Sequence, residues 1–354
     1  MNLDGAKNAK AEIFEKVFRF EETPVAFSPG VSQGSFLPRL GSEIDSRIRE
    51  GRLKRRLDPV DMIAVGFAVD PRREHQVSLA LLLQSRTLLH HPIVEEAVRR
   101  VGDAEMRLIV TGPVSPRSVA NGGRCRPLRI GASIGHVNVT AGSLGCFATC
   151  RKEGTLGFLS NNHVLADSNN AQAGDLIVQP GVEDGADCGD PATHVARLHR
   201  YHPIDFRPGA TNYVDCAFAE LIADVEHEPD RIGFPAGSLS DCVLGEPEDL
   251  VIDQMPVMKV GRTTGHTRGS VTVVSIDNVT TGYPGYRFAR FDRQVAIRGA
   301  TGPFSARGDS GALVVTQDGR PIALLYSGTS HGITYANPIQ AVLDTLSVDI
   351  QTRP

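Results

Sequence analysis

The chain has no stretch approaching 18 consecutive apolar residues. Its longest strong run is Val77–Leu83, which excludes a membrane-spanning helix. It has no excess of positive charge either. Lys and Arg number 37 against 41 Asp and Glu, a formal net charge of −4, which argues against a nucleic-acid-binding protein. The first twenty residues carry Lys7, Lys10, Glu12, Glu15, Lys16 and Arg19 with no apolar segment. They do not read as a secretory signal, and the expected location is cytoplasmic. Six cysteines (Cys125, Cys146, Cys150, Cys188, Cys216 and Cys242) contain no CxxC pair and no metal-ligand pattern with His. Cys146 and Cys150 are four apart on an expected strand, so about 13 Å would separate them, too far for a bridge. Reduced thiols in a cytoplasmic protein are the expectation. The histidines His194, His199 and His202 lack a carboxylate or Cys at ligand spacing, so no metal is expected, and nothing between residues 58 and 112 resembles a phosphate loop. No cofactor is implied.

What is present is an ordinary globular composition: 354 residues, 41% hydrophobic, 22% charged, 36 Gly and 22 Pro. That is enough apolar material for a sizeable core and about two domains. Residues 1–57 read as an extension. Within it, Ala11–Phe20 is an expected amphipathic helix, Pro24 to Gly41 is rich in Pro, Gly and Ser, and Arg52–Arg56 is a solvated basic run. Residues 58–115 read as a small β-β-α-β unit. Its strands are Met62–Val69, Val77–Gln84 and Arg107–Thr111, and a helix starts at Pro92 and stops at Gly102. A Pro/Gly/Ser/Arg-rich linker covers 116–129. From Ile130 onward, short β-prone segments alternate with Gly, Asn, Asp and Pro turns. Examples are Gly157–Ser160, Asp175–Gln179, Tyr213–Leu221, Ser270–Ile276 and Ile322–Tyr326. This is enough for two β-barrels, at 130–235 and 236–350, the second ending in a helix at Pro338–Leu346. The fold class is therefore mainly β, a double barrel preceded by a small α/β unit.

Three segments of the β-rich half carry chemistry. His163 follows an expected strand in Gly157–Leu165. Asp215 interrupts the alternating apolar positions Val214, Cys216 and Phe218, where a buried carboxylate requires a partner. Ser310 sits in Gly308-Asp309-Ser310-Gly311 ahead of an apolar strand. A serine hydroxyl becomes an effective nucleophile when a base takes its proton, and an imidazole titrating near neutrality can do so. A carboxylate on the other ring nitrogen fixes the tautomer. A Gly-x-Ser-Gly turn can aim the N–H groups of Gly308 and Ser310 at a developing oxyanion. Asp205 competes with Asp215 for the acid, but Asp215 fits the alternating strand.

At these residues the chain resembles the chymotrypsin-like (trypsin-fold) serine proteases, whose order is His, Asp, Ser. Val260–Gly265 followed by Gly269-Ser270-Val271 looks like the early hairpin of the second barrel in bacterial secreted proteases. Gly332–Ile339 resembles the last strand and the start of the terminal helix. Leu159–Leu165, Gln179-Pro180-Gly181, Val260–Gly265, Gly308–Val314 and Asn337-Pro338-Ile339 together resemble a bacterial group related to the plant narrow-leaf trypsin-like protein. The resemblance spans roughly residues 60–350.

It implies a serine endopeptidase with His163, Asp215 and Ser310 as the triad and Gly308 and Ser310 as the oxyanion hole. It also implies that Phe304, six residues before the nucleophile, floors the primary pocket and favours small or apolar side chains. Tyr326, Ser327 and Gly328 would pair with an extended peptide. The sequence departs from animal trypsins in Asn161-Asn162 before the histidine and in Gly311-Ala312 after the serine. It has no activation-type site to provide a new amino terminus for Asp309, so a buried Asp309 needs another partner. Arg262 reads as a structural hydrogen bonder. The expected partner is a protein or peptide substrate, with no nucleic acid and no membrane, and the extra N-terminal unit leaves room for a homo-oligomer. Two alternatives remain open: a trypsin-fold scaffold or regulatory binding protein without catalysis, and a narrow acyl-ester hydrolase using the same triad.

Overall fold

The computed structural model describes residues 1–23, 35–38, 58–69, 77–112, 121–229, 239 and 255–352. The basic run Arg52–Arg56, Cys242 and most of the Pro24–Gly41 stretch lie outside these residues.

Helix α1 (Leu3–Glu12) starts where the Asn2 side chain accepts from the Gly5 amide, and a wider helical turn, Ile13–Val17, continues it. The helix thus begins earlier than the Ala11–Phe20 expectation, and the chain is already extended at Phe20. There β1 (Phe20–Thr23) pairs antiparallel with β2 (Ser35–Pro38). Next come β3 (Ile63–Val69), β4 (Val77–Leu83), α2 (Pro92–Val101) and β5 (Met106–Val110). The β-β-α-β order expected from the sequence is present, with β3–β4 antiparallel and β4–β5 parallel. Every residue of β4 is buried because both of its faces are covered. Leu79, Leu81 and Leu83 join Ile13, Phe14 and Phe18 in one apolar cluster. Ala80 and Leu82 join Tyr283, Phe291 and Tyr326 in another.

The first large sheet follows. Short β6 (Leu128–Arg129) pairs outside it, with β14 (His227–Glu228). The sheet itself uses β7 (Ser133–His136), β8 (Gly142–Ser143), β9 (Cys146–Cys150), β10 (Leu156–Ser160), β11 (Leu176–Val178), β12 (His194–Tyr201) and β13 (Ala217–Leu221). Their order, β9-β10-β13-β12-β11-β7-β8, curls back on itself because β8 and β9 belong to one continuous stretch of chain.

The second sheet contains β15 (Pro256–Gly261), β16 (Gly265–Asp277), β19 (Gln294–Gly299), β20 (Leu313–Thr316), β21 (Pro321–Gly328) and β22 (Ile333–Pro338), while β17 (Val279–Tyr283) and β18 (Arg287–Phe291) form a separate hairpin between β16 and β19. The order β15-β20-β21-β22-β19-β16 closes into a six-stranded barrel through a β15–β16 pairing. Helix α3 is the single turn Asn162–Leu165, and α4 is Ile339–Leu346. After α4, β23 (Val348–Ile350) returns to the first sheet and pairs with β9.

The mainly β, double-barrel fold expected from the sequence is the fold observed. The accessory strands extend the second barrel: β3 pairs with β16, so β3, β4 and β5 continue that sheet outward.

Candidate active site

Strand β10 ends at Ser160, and Asn161 and Asn162 turn the chain into α3. Both asparagines are buried and both are anchors. Asn161 donates through Nδ2 to the Asp215 carbonyl at 2.7 Å, and Asn162 donates to the His202 carbonyl at 2.7 Å. The departure from the two alanines of animal trypsins therefore supplies the bonds that fix the histidine turn. His163 Nδ1 lies 2.6 Å from Asp215 Oδ2, and the His163 amide donates to Oδ1 at 3.3 Å. With the proton on Nδ1, Nε2 carries the free lone pair, and it has no hydrogen-bond partner.

Asp215 is fully buried. The sequence places it on a strand, but β13 begins only at Ala217. The Asp215 amide leaves the ladder pattern because it donates to Asn337 Oδ1, at 3.0 Å. Asn337 Nδ2 in turn donates to Gln294 Oε1 at 2.7 Å, and Gln294 donates to the Tyr213 carbonyl at 2.9 Å. The carboxylate also accepts from the Tyr283 hydroxyl at 2.8 Å. Asn337, Gln294 and Tyr283 all belong to the second barrel or its hairpin, so the other half of the molecule completes the acid's surroundings. Asp205, the competitor, is instead bonded to Arg207 at the surface.

Ser310 precedes β20 in a turn held against the first sheet. The Ser143 amide donates to the Ser310 carbonyl at 2.7 Å, and Ser143 Oγ donates to the Gly308 carbonyl at 2.9 Å. Ser160 Oγ donates to the Ser143 carbonyl at 2.8 Å. Gly308 has φ +94°, and a Cβ there would strike Arg262 Nη1 and Thr263 Oγ1. Gly311 has φ +90°, and a Cβ there would overlap Ser160 Oγ and the Ser143 carbonyl. Among the described residues, the amides of Gly308 and Ser310 donate to no other group. Ser310 Oγ donates to the Tyr326 carbonyl at 3.4 Å and makes no hydrogen bond to His163.

Asp309 finds the partner that the sequence demanded. Its carboxylate accepts from the amides of Thr263 (2.7 Å), Thr264 (3.1 Å) and Ala306 (2.9 Å) and from Thr264 Oγ1 (2.7 Å). Lys259 Nζ stands 3.2 Å away, with both side chains fully buried. Burial pushes the Lys259 ammonium pKa down, while the Asp309 carboxylate opposes that loss of charge. Arg262 is the structural bonder expected from the sequence. Its guanidinium, fully buried, grips Asp184 with Nε–Oδ2 at 2.5 Å and Nη2–Oδ1 at 2.7 Å, and Glu183 lies 3.3 Å away. Burial works against the charge of Asp184, but the bonds from Arg262 and Ser133 outweigh it and hold the carboxyl below its usual range. This clasp ties the second barrel to the first beside the Gly308 turn.

Tyr326, Ser327 and Gly328 form the far end of β21. They pair with β22 on one side, through Ser327↔Tyr335 and Gly328↔Thr334. On the other side the pairing with β20 stops at Leu324, so this edge has no strand partner among the described residues. It runs beside Ser310, whose hydroxyl contacts Tyr326.

The Phe304 ring is fully buried in the interior cluster with Val271, Val274, Ile297 and Val314, and Lys259 Nζ lies 5.9 Å from its centroid. His199 contacts Glu153 at 2.9 Å, and His194 the Cys188 carbonyl at 2.9 Å.

Sequence reasoning missed Lys259, Ser143 and Tyr283. Lys259 alone left a signal, as a cation within an otherwise apolar strand.

No family model matches the chain, and no curated protein matches it. Among solved structures, it is similar to Thermobifida fusca Protease A, at 14% identity over 64% of this chain and all of that one, with a TM-score of 0.42. It is similar to Nocardiopsis Protease (NAPase) at 15% identity over the same shares, with a TM-score of 0.42. It is also similar to a glutamic acid specific serine protease, at 18% identity over 63% of this chain and all of that one, with a TM-score of 0.43.

Proposed function

We propose that this chain is a serine endopeptidase of the chymotrypsin-like class. The observation that carries the reading is the His163–Asp215 pair at 2.6 Å, together with Gly308 and Ser310 amides that have no acceptor among the described residues. The ordered motifs favour, within that class, the bacterial group related to the plant narrow-leaf protein.

An extended peptide adds as a strand to the Tyr326–Gly328 edge, which aligns its carbonyl with Ser310. The serine hydroxyl exchanges the Tyr326 carbonyl for His163 Nε2, which takes its proton as Oγ attacks. Asp215 holds the Nδ1–H and stabilises the imidazolium. The Gly308 and Ser310 amides receive the oxyanion. His163 returns its proton to the leaving amine as the acyl-enzyme forms. Water activated by the same imidazole then releases the acid. Because the Lys259–Asp309 pair is internal, the Ser310 turn assembles on folding and needs no newly cut amino terminus.

One observation favours the alternative of a non-catalytic scaffold: Ser310 Oγ bonds to Tyr326 rather than to His163. Digestion of a peptide library, read by mass spectrometry, separates the two. The expected outcome is a set of internal cleavages lost in Ser310→Ala, a variant that keeps its fold. Identical digests from wild type and Ser310→Ala would sink the proposal.

A further inference from the structure

We infer that Tyr283 is a positioning residue for the catalytic acid, its hydroxyl serving as the donor that completes Asp215 and holds it toward His163. This rests on the reading of His163, Asp215 and Ser310 as a triad.

A buried carboxylate keeps its charge where two or three donors meet it. Asp215 has three: His163 Nδ1 at 2.6 Å, the Tyr283 hydroxyl at 2.8 Å and the His163 amide at 3.3 Å. The first and last belong to the histidine itself. Among the described residues, Tyr283 is therefore the one side-chain donor that can hold the carboxylate independently of the group it is meant to orient. Its hydroxyl and the imidazole share one oxygen, Oδ2, so the phenol tempers the charge that the imidazole meets.

Tyr283 is built to stay in place. It closes the β17–β18 hairpin opposite Arg287. Its ring lies 5.4 Å from Phe206 and 6.4 Å from Phe291, with its edge or face toward His163 at 5.9 Å. Behind it, Ala64 and Ala68 of β3 and Ala80 and Leu82 of β4 belong to the same apolar cluster. The accessory strands thus contribute to the apolar cluster that holds this tyrosine. Burial and the neighbouring Asp215 charge keep the phenol protonated well above its ordinary range, so it remains a donor at working pH. The other titratable groups near Asp215 are His202, Cys216 and Tyr326, and Arg287 acts on Tyr283.

Tyr283→Phe keeps the ring and removes the donor. The carboxylate then gives all of Oδ2 to the imidazole, so the imidazolium is better stabilised and the acid limb of the pH–rate profile moves to higher pH. Loss of orientation lowers kcat by about tenfold with KM changed less than about twofold. The same change is readable without turnover. In full-length protein with ¹⁵N-labelled histidine, the His163 Nδ1–H resonance is expected to move downfield in Tyr283→Phe. A variant that melts as wild type does, with that resonance unmoved, overturns the inference whether or not the protein cleaves peptides. A shifted resonance in a protein whose Ser310 never reacts leaves the inference standing and overturns the protease reading instead.

Discussion

The two halves of the candidate site are held in different ways. On the histidine side, Asp215 sits in a mesh of amides and hydroxyls from Asn161, Asn337, Gln294 and Tyr283, with no Lys or Arg bonded to it among the described residues. On the serine side, Asp309 also takes four hydrogen bonds from amides and a hydroxyl, but the turn adds two buried ion pairs, Lys259–Asp309 and Arg262–Asp184. The contrast follows from what each half must do. Under the proposed mechanism Asp215 has to keep its charge available to the imidazole, and a fixed cation beside it would compete for that charge. Asp309 only has to hold a turn, so a full counter-charge suits it. In both halves the barrel opposite supplies the decisive contact: Asn337 and Tyr283 for the acid, Ser143 for the serine turn.

If that contrast holds, removing charge on the serine side costs more than removing a neutral bond on either side. Lys259→Met has the largest expected effect. It removes the buried counter-charge of Asp309, whose carboxylate keeps its four hydrogen bonds, and stability measured by urea unfolding should fall by about 3–5 kcal/mol. A loss below about 1 kcal/mol would erase the distinction between the halves. Asp184→Asn comes next, at about 1.5–3 kcal/mol near neutral pH, because it weakens the hold on a buried guanidinium.

This second effect depends on pH. A carboxyl whose folded pKa is depressed adds stability that is fully present above its ordinary value, about 3.8, and that is lost as pH falls through the lower folded value. The gap between wild type and Asp184→Asn should therefore be full at neutrality and close progressively below pH 3.8. A gap that stays constant down to acid would mean that the clasp is not ionic.

Asn337→Ala tests the neutral side. It removes acceptor and donor together, with an expected cost of about 1–3 kcal/mol and a drop in kcat as Asp215 loosens. Ser143→Ala should be the mildest, near 1 kcal/mol, since the Ser143 amide still binds the Ser310 carbonyl.

Local features of the chain were readable before any coordinates. Pro92 and Gly102 bracket a helix because each acts through its own backbone. His163 and Ser310 stood out because the residues around them are short, glycine- or asparagine-marked turns. Asp215 was found for a sound reason, a charge among apolar neighbours, but its strand was set too long. Alternation of apolar residues continues past the point where ladder pairing stops. The docking of β3 onto β16 and the reach of Tyr283 to Asp215 join residues far apart in the chain. Such pairings are set by which surfaces meet in three dimensions, and one sequence carries no local mark of them. Asn337 lay within a motif already noted, yet nothing near it in sequence indicates that its amide faces Asp215.

The most direct test of the central claim is covalent labelling of the intact, folded protein with a fluorophosphonate, followed by peptide mapping. The account expects one adduct per chain, on Ser310, absent in His163→Ala and in Ser310→Ala. A correctly folded wild-type protein that takes up no label, or takes it up equally without His163, would contradict it.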